Sequence, residues 1–275
     1  KDVIQELGNK LVGEITADDS AREYFPTDGS VFTVKPQLVI YPKTENDVVL
    51  AVRYLDQRAK AGHKIALTAR GKGTDQAGGS LGDGAVMVMP AHMKKFIRIN
   101  KHSVTVQPGM IYQHLQGILM SHGRWLPPYP ASMDFATIGG AVANNSAGEK
   151  TIKYGSTRDF VKGLRVVLSN GDVITTSRLS RKELKRKKAQ RDFEGEIYRK
   201  LDALLSEKKK LIATAEPNVS KNSAGYDLWD VKGRKGSFDL SQLITGSQGT
   251  LGVVTEVTLR HVEHTGKTIL LTGFF

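Results

Sequence analysis

The stretch that decides the fold is Ala69-Arg70-Gly71-Lys72-Gly73-Thr74-Asp75-Gln76-Ala77-Gly78-Gly79-Ser80. It carries four glycines among hydroxyl and amide side chains. Because glycine has no Cβ, we expect Gly71 and Gly73 to take positive φ and to let successive main-chain N–H groups converge on one point. We also expect hydroxyl donors from Thr74 and Ser80, and positive charge at the mouth of the loop from Arg70 and Lys72. The stretch predicts a phosphate-sized anion site, and the alternative is a glycine-rich surface turn that binds nothing.

A strand, a helix and a second strand precede this loop. Leu38 to Tyr41, bounded by prolines on both sides, predicts a short strand. Thr44 with Asp47 three residues later predicts the start of a helix that ends before Gly62. The run from Ile65 to Ala69 then leads into the loop as a strand. This order is a βαβ unit, and ligands collect at the carboxyl ends of the strands in such sheets.

Apolar runs and turn residues predict further elements downstream. Asn170-Gly171 between two apolar runs is typical of a type I′ hairpin turn, and Ser180 with Glu183 predicts the start of a polar helix. The predicted elements are a buried strand at Ala85 to Met89, a hairpin of Phe96 to Ile99 with Ser103 to Gln107, a helix closed by Gly123, a hairpin over 160–176, helical structure from Ser180 to Leu211, and an alternating strand from Val253 to Arg260.

The composition is that of a globular protein. With 275 residues, of which 39% are hydrophobic and 25% charged, the chain is long enough for one large domain or two closely packed lobes. No window holds the roughly 18 consecutive apolar residues of a membrane-spanning helix, and Lys1 to Lys10 lack the apolar run of a signal peptide. Because there is no cysteine, the chain forms no disulfide, thiolate metal site or cysteinyl cofactor link. We expect a cytoplasmic location, with peripheral association with the inner face of the membrane left open.

The positive charge is concentrated in one segment. Lys and Arg number 40 against 28 Asp and Glu, a net charge of +12, and eight basic residues lie between Arg178 and Arg191 beside one acidic residue, Glu183. Such a charge attracts nucleic acids, acidic lipids and phosphorylated ligands. A solvated helical face is the simpler interpretation, because the segment lacks the interleaved aromatic residues of a nucleic-acid platform. A basic module that binds nucleic acid or an acidic partner through this helix stays as an alternative function.

Two further glycine-rich stretches lie far along the chain. The second covers Ala131 to Gly148, where Thr137 precedes Gly139-Gly140 and a run of small residues follows. The third covers Gly246 to Val254. Small residues let main-chain donors and amide side chains approach a flat ligand closely. Since neither a Gly-x-x-x-x-Gly-Lys-Ser/Thr loop nor a Gly-x-Gly-x-x-Gly fingerprint is present, the sequence predicts a nucleotide-binding fold of another kind.

The order of these motifs resembles the FAD-binding domain of the vanillyl-alcohol oxidase and p-cresol methylhydroxylase (PCMH) superfamily. The resemblance runs from about Tyr24 to the end and is carried by Asp28-Gly29-Ser30, 36–42, 70–75, Gln107-Pro108-Gly109, 137–140, Lys153-Tyr154-Gly155 and 246–254. Within the superfamily, 144–148, 221–226 and 246–252 are similar to the branch of the glycolate oxidase subunit, D-lactate dehydrogenase and D-2-hydroxyglutarate dehydrogenase. The resemblance implies an α+β fold of two lobes, a small βαβ lobe and a larger lobe with a mixed or antiparallel sheet and helices.

The resemblance also implies a domain organisation. Residues 1–33 are expected to be an N-terminal lead-in. Residues 34–260 are expected to be the PCMH-type FAD-binding domain, with lobe one at about 34–92, lobe two at about 93–260 and a helical insert at 178–240. Residues 261–275 are expected to begin a C-terminal cap domain, truncated here, which in the resembling enzymes carries the catalytic His and the substrate arginines. We therefore assign no catalytic residue and no metal site to this chain, and we interpret His261 and His264 as strand surface.

FAD is the cofactor that the resemblance implies, lying extended between the lobes. Main-chain N–H groups of 70–75 are expected to wrap its pyrophosphate, with the Lys72 side chain pointing outward. The implied cofactor-binding residues are Ala69, Arg70, Gly71, Lys72, Gly73, Thr74, Asp75, Pro108, Gly109, Ala131, Ser132, Thr137, Gly139, Gly140, Asn144, Asn145, Ser146, Gly249, Thr250, Gly252, Val253 and Val254. Relatives with a covalent flavin place a His in the first loop, which has none here, so we predict non-covalent FAD.

The implied reaction is oxidation of a small 2-hydroxy acid, by hydride transfer from the carbon that bears the hydroxyl to flavin N5. A substrate carboxylate requires cations or hydroxyl donors, and Lys221 and Tyr226 are candidates for that contact. An FAD oxidoreductase for a non-acid alcohol is an alternative, because specificity resides in the cap domain. The sequence names no electron acceptor, and we expect no DNA partner.

Overall fold

The computed structural model describes residues 2–219, 221–233, 236–264, 266, 269 and 271–274. The expectation of a cap domain starting at 261–275 falls partly outside these residues, as does the first residue of the predicted lead-in, Lys1. The strands are β1 Glu14–Thr16, β2 Leu38–Tyr41, β3 Leu67–Arg70, β4 Ala85–Val88, β5 Phe96–Asn100, β6 Ser103–Val106, β7 Arg124–Trp125, β8 Val161–Val167, β9 Val173–Leu179, β10 Phe238–Asp239, β11 Val253–Arg260 and β12 Val262–Glu263.

Helices connect these strands and cover the sheets. They are α1 Asp2–Gly8, α2 Asp19–Arg22, α3 Glu45–Lys60, α4 Tyr112–Ser121, α5 Ile138–Ala143, α6 Thr151–Tyr154, α7 Arg181–Ala189, α8 Phe193–Glu207, α9 Lys209–Ala215 and α10 Leu240–Ile244. Short 3₁₀ helices lie at Met89–Ala91 and Thr157–Phe160. Among the residues that the structure describes, no helix is both long and apolar enough to cross a membrane.

Two sheets organise the fold. In the first, with the order β1-β2-β4-β3, the strands β2, β4 and β3 run parallel and β1 pairs antiparallel with β2. The unit β2-α3-β3 is the predicted βαβ unit, with β4 inserted between its two strands. The second sheet has the order β10-β9-β8-β11-β6-β5 and only antiparallel pairs. The predicted α+β architecture, a small βαβ lobe and a larger antiparallel lobe, is confirmed.

The start of α3 shows how local sequence signals become tertiary contacts. Thr44 Oγ1 accepts a hydrogen bond from Asp47 N at 3.1 Å, and Asp47 Oδ2 accepts one from Thr44 N at 3.0 Å, which is the predicted capping arrangement. The buried Asp47 carboxylate also accepts hydrogen bonds from the main-chain N–H groups of Val12, Gly13 and Lys43. The cap of α3 therefore also holds the segment that carries β1, a strand that the sequence did not predict.

Two predicted features differ in the structure. The turn at Asn170-Gly171 is not type I′, because φ is positive at Gly171 (81°) but not at Asn170. Gly171 N donates to Leu168 O at 2.8 Å instead, and the Asn170 side chain accepts a hydrogen bond from Asp172 N. The predicted helix over 180–211 is broken between α7 and α8, because Asp192 caps the N-terminus of α8 by accepting a hydrogen bond from Gly195 N.

The second sheet packs on α3 and on the apolar core of the first sheet through both apolar and charged contacts. Val167 of β8 and Val253 of β11 belong to the apolar core that lies between α3 and the first sheet. Beside them, Arg165 of β8 donates two hydrogen bonds to Glu45 of α3, at 2.6 and 2.8 Å. The lobe boundaries at about residues 34, 93 and 260 stay a prediction.

Candidate functional site

The three glycine-rich stretches line one cavity of about 430 Å³. Ligand sites of small molecules commonly have volumes of about 300–1,000 Å³. The cavity is lined by residues 69–76, 79–80, 89, 108, 130–132, 136–137, 139–144, 146–147, 244, 247–249, 252 and 254. The carboxyl end of β3, the helix α5 and the segment 247–254 all contribute to its wall, so segments more than 150 residues apart in the chain meet at one place.

Most of the predicted cofactor-binding residues lie in the wall of this cavity. These are Ala69, Arg70, Gly71, Lys72, Gly73, Thr74, Asp75, Pro108, Ala131, Ser132, Thr137, Gly139, Gly140, Asn144, Ser146, Gly249, Gly252 and Val254. The wall also contains residues that the prediction did not name as cofactor-binding, such as Ala141, Ala143 and Ala147. The run of small residues after Gly140 was the signal that could have identified them. Met89 and Ile244 carry no such signal, because only the packing of their elements brings them to the cavity.

Four predicted residues do not line the cavity. Gly109 packs against Met93, whose carbonyl oxygen accepts a hydrogen bond from Gly109 N at 2.8 Å. Asn145 is buried behind α5, with 1% of its surface exposed. Thr250 and Val253 line a second, largely apolar cavity of about 490 Å³ on the other side of the third glycine-rich stretch.

The first loop offers free main-chain donors. Within the described part of the chain, the N–H groups of residues 72–77 donate no hydrogen bond. Gly73 has the predicted positive φ, of 73°, but Gly71 does not. Gly71 is required for a different reason, since a Cβ there would overlap Thr137 Oγ1. The arrangement suits an anion that accepts hydrogen bonds from consecutive main-chain N–H groups.

The expected roles of the Arg70 and Ser80 side chains are wrong. The Arg70 guanidinium is buried under Gly73, where it donates to Thr27 O at 2.7 Å and to Phe25 O at 3.2 Å. Burial lowers the pKa of Arg70, and the Asp28 carboxylate partly opposes that change. Ser80 Oγ donates to Asp28 Oδ2 at 2.8 Å. Both side chains hold the N-terminal segment 25–28 beneath the loop, so the charge at its mouth comes from the exposed Lys72.

The second stretch is joined to the first through side chains. Thr137 caps the N-terminus of α5, and its Oγ1 accepts a hydrogen bond from Gly140 N at 3.1 Å. At the other end of α5, Asn144 Nδ2 donates to Asp75 Oδ1 at 2.8 Å. Asp75 Oδ2 also accepts a hydrogen bond from Gly79 N, so this carboxylate closes the first loop and ties it to α5.

The third stretch runs along α5 through main-chain hydrogen bonds. Gly246 N donates to Val142 O and Gln248 N donates to Ala143 O, both at 2.9 Å. This path needs positive φ at three of the four positions from 246 to 249, namely Gly246 (87°), Gln248 (52°) and Gly249 (77°). The backbone of this stretch is therefore held against α5 along one edge of the cavity.

The remaining candidate residues lie away from the cavity. The Tyr226 hydroxyl lies 2.7 Å from Thr250 Oγ1, and neither Tyr226 nor Lys221 lines the cavity. The interpretation of His261 as strand surface is wrong, because its ring is 7% exposed and its Nε2 lies 3.0 Å from Asn100 O. His264 is exposed and meets the ring of Trp125 edge-on.

Comparison with known proteins shows the family of this chain. The family described as "FAD binding domain" matches residues 36–177, just over half of the chain, and the chain belongs to this family. The chain is 31% identical to D-2-hydroxyglutarate dehydrogenase of Pseudomonas putida, over 90% of this chain and 25% of that protein. It is 32% identical to the glycolate oxidase subunit GlcD of Bacillus subtilis, over 98% of this chain and 47% of that protein. The predicted resemblance to this branch is confirmed.

Solved structures show the same fold. An alkyldihydroxyacetonephosphate synthase superposes with a TM-score of 0.64 over 95% of this chain and 40% of that chain, at 19% identity. This likeness shows that the two chains share a fold. The chain spans between a quarter and a half of the length of the relatives above.

Proposed function

We propose that this chain is the FAD-binding part of a flavin-dependent oxidoreductase that oxidises a 2-hydroxy acid with non-covalently bound FAD. The observation that carries the proposal is the single cavity in which three distant glycine-rich stretches meet, in a chain of the FAD binding domain family. The 2-hydroxy-acid class rests on the names of the relatives, D-2-hydroxyglutarate dehydrogenase, GlcD and D-lactate dehydrogenase.

The residues of the cavity fit such a cofactor. A pyrophosphate needs several donors on one side, and the unpaired N–H groups of 72–77 supply them next to the exposed Lys72. A flat ring system needs a wall without long side chains, and 139–143 reads Gly-Gly-Ala-Val-Ala. We therefore place the pyrophosphate at the first loop. The flavin and ribityl side lies along the cavity-lining residues of 131–137 together with Asn144 and Ser146, and the remaining wall is formed by Gln248, Gly249, Gly252 and Val254.

This chain's own residues bind and orient the cofactor. When bound, FAD supplies the two-electron acceptor for hydride transfer from the carbon that bears the substrate hydroxyl. Asp75 and Asn144 hold two walls of the cavity together, and the backbone of 246–249 closes a third side. We assign no catalytic residue to this chain, and Lys221 and Tyr226 stay candidates for contact with a substrate carboxylate.

Non-covalent attachment is supported by the sequence of the first loop, which has no His, and by the lack of cysteine in the chain. A cytoplasmic location remains part of this proposal, with peripheral association with the inner face of the membrane as the alternative. A non-acid alcohol is the second substrate class that we retain. Membership of the FAD binding domain family supports the flavin interpretation over a basic nucleic-acid module.

Reconstitution tests the cofactor assignment. The chain freed of cofactor should quench the fluorescence of added FAD with a one-to-one endpoint at micromolar concentrations. After acid precipitation, the yellow colour should stay in the supernatant. Folded protein that shows no saturable quenching would overturn the assignment, and colour in the pellet would overturn non-covalent attachment.

Substrate class is tested separately. The chain is expressed with any further sequence that its gene encodes and is loaded with FAD. In the absence of oxygen it is then mixed with D-2-hydroxyglutarate, D-lactate, glycolate or a matched alcohol that lacks the carboxylate. We expect the hydroxy acids to bleach the flavin absorbance. Bleaching by the alcohol alone would contradict the 2-hydroxy-acid assignment while leaving the FAD assignment intact.

A further inference from the structure

A buried polar cluster lies behind the cavity wall, outside the proposed cofactor contacts. Its centre is Arg158, whose side chain is 11% exposed and forms an ion pair with Asp227, 7% exposed, at 3.1 Å. Arg158 Nη2 donates to Thr245 O at 2.8 Å, and Arg158 N donates to Asn145 Oδ1 at 2.9 Å. One residue therefore contacts the chain immediately after α5 and the chain immediately before the third glycine-rich stretch.

The contact with the third stretch is close. A Cβ on Gly246 would lie 2.8 Å from Arg158 Nη2 and 3.3 Å from Asn145 Cβ, so both side chains pack directly on this glycine. Asn145 itself has a positive φ of 47°, which is unfavourable for a residue with a side chain. Its Oδ1 bond to Arg158 N is a local interaction that holds this conformation. Arg158 therefore contacts two residues with positive φ, Asn145 after α5 and Gly246 at the start of the third stretch.

The cluster also carries an unusual number of unsatisfied atoms. Arg158 Nε, Asn145 Nδ2 and Thr245 Oγ1 are buried and have no hydrogen-bond partner among the described residues. Buried polar atoms are nearly always paired, because an unpaired one costs folding stability.

Residues 223–227 add the outer layer of the cluster. Asp227 pairs with Arg158, and the Tyr226 hydroxyl meets Thr250 Oγ1. Ser223 Oγ makes a longer contact, of 3.4 Å, with Asn145 O. This segment overlaps the 221–226 motif of the sequence. It contacts the second and third glycine-rich stretches on the side away from the cavity.

We propose that Arg158 is a positioning residue for the cofactor site. Its main-chain N–H holds Asn145. Its guanidinium, paired with Asp227, holds the Thr245-to-Gln248 backbone in the conformation that binds FAD, without touching the cavity itself. This inference rests on the proposed function, because its readout is FAD affinity. It predicts that breaking the Arg158–Asp227 pair weakens FAD binding more than it lowers the stability of the cofactor-free protein.

The test compares R158M, R158K and D227N with the wild type and with R260M. Arg260 is the control, because it also donates to a main-chain carbonyl, but that of Asp159, and its other described contact is with the Phe160 ring rather than with the third glycine-rich stretch. FAD dissociation constants are measured below the melting temperature of each cofactor-free variant, together with the circular dichroism of the bound flavin.

We expect R158M to raise the FAD dissociation constant by roughly tenfold or more, as for a broken buried charge pair. R158K should recover part of the affinity, D227N should lie between R158M and the wild type, and R260M should bind like the wild type. The flavin circular dichroism should change in R158M alone or most strongly there.

The outcomes separate the two proposals. If the wild type does not bind FAD, the proposed function fails. If the wild type binds FAD and R158K and D227N bind it equally well, with the flavin signal unchanged, the positioning role of Arg158 is overturned. The same conclusion follows if R158M and R260M lower the melting temperature by the same amount and both bind FAD with wild-type affinity. Should R158M not fold, R158K and D227N still decide the question.

Discussion

Gly71 and Thr137 are so close that a Cβ on Gly71 would overlap Thr137 Oγ1. Gly71 directly follows β3 in the first sheet, whereas Thr137 caps α5 in the other lobe. The same hydroxyl oxygen accepts the hydrogen bond from Gly140 N. The first and second walls of the cavity are therefore in direct contact, and the missing side chain of Gly71 is what allows it.

The substitution G71A tests that contact. The added methyl would displace the Thr137 hydroxyl and break its bond to Gly140 N, so we expect a loss of about 1–3 kcal/mol in the free energy of unfolding. FAD affinity should also fall. Gly117 provides the control, because it is exposed within α4 and a Cβ there meets nothing within 4 Å. G117A should gain about 0.5–1 kcal/mol and bind FAD normally. Urea unfolding and FAD titration would contradict the prediction if the two variants behaved alike.

Alanine substitutions at Gly249 and Gly62 separate the effect of backbone strain on stability from the effect of cavity obstruction on FAD binding. Gly249 and Gly62 have φ values of 77° and 91°, and in both cases a Cβ would meet nothing within 4 Å. Alanine at either position should cost about 1–2 kcal/mol of stability, because of the left-handed backbone. Only Gly249 lies in the cavity wall, so only G249A should weaken FAD binding, by about tenfold for an added methyl that obstructs the ligand. Equal affinities of G249A and G62A would show that position 249 does not face the cofactor.

The Asp75–Asn144 contact joins two walls and can be measured with a double-mutant cycle. D75A removes the acceptor for both Asn144 Nδ2 and Gly79 N, so it should cost about 1–3 kcal/mol of stability, and more than N144A does. The two residues are in contact, so the double variant should be less destabilised than the sum of the single variants, by about 0.5–3 kcal/mol. Both single variants should lose FAD affinity. Strictly additive stability losses would mean that the bond contributes nothing.

Glu45 should make the packing of α3 on the second sheet depend on pH. Burial opposes ionisation of Glu45, but hydrogen bonds from Arg165 and Thr255 outweigh it and hold the pKa below the ordinary value of 4.5. A lowered pKa in the folded state stabilises the fold above the ordinary value, and this contribution is lost as the pH falls through the lower value. E45Q should therefore be less stable than the wild type at neutral pH, by about 1 kcal/mol for a partly exposed pair.

The difference between E45Q and the wild type should shrink as the pH falls below 4.5. Thermal melting over a series of acidic buffers measures it. The control is E196Q, which breaks an exposed ion pair within α8, Glu196 to Lys200, and should change the melting temperature less at neutral pH. A constant difference at all pH values would show that the Glu45 charge is not involved.

Local signals were enough to predict much of the fold. The capping pair Thr44–Asp47 predicted the start of α3. The alternation from Val253 to Arg260 predicted β11, in which buried side chains alternate strictly with partly exposed ones. Such features depend on neighbours within a few residues, so the sequence displays them directly. The turn at Asn170-Gly171 was placed correctly, but its type was not, because Asn170 caps Asp172 N rather than taking positive φ.

The sequence by itself determined that three glycine-rich stretches alternate with a βαβ unit and a set of antiparallel strands, and the resemblance of this order to a known superfamily predicted an FAD-binding domain. Only the tertiary structure decided what each polar side chain does. Arg70 and Ser80 point to 25–28 instead of the anion site, Asp75 bonds to Asn144, and Arg158 holds the third stretch from behind. The physical reason is that a hydrogen bond is made with whichever group packing brings within about 3 Å, and those partners lie tens of residues away in the chain.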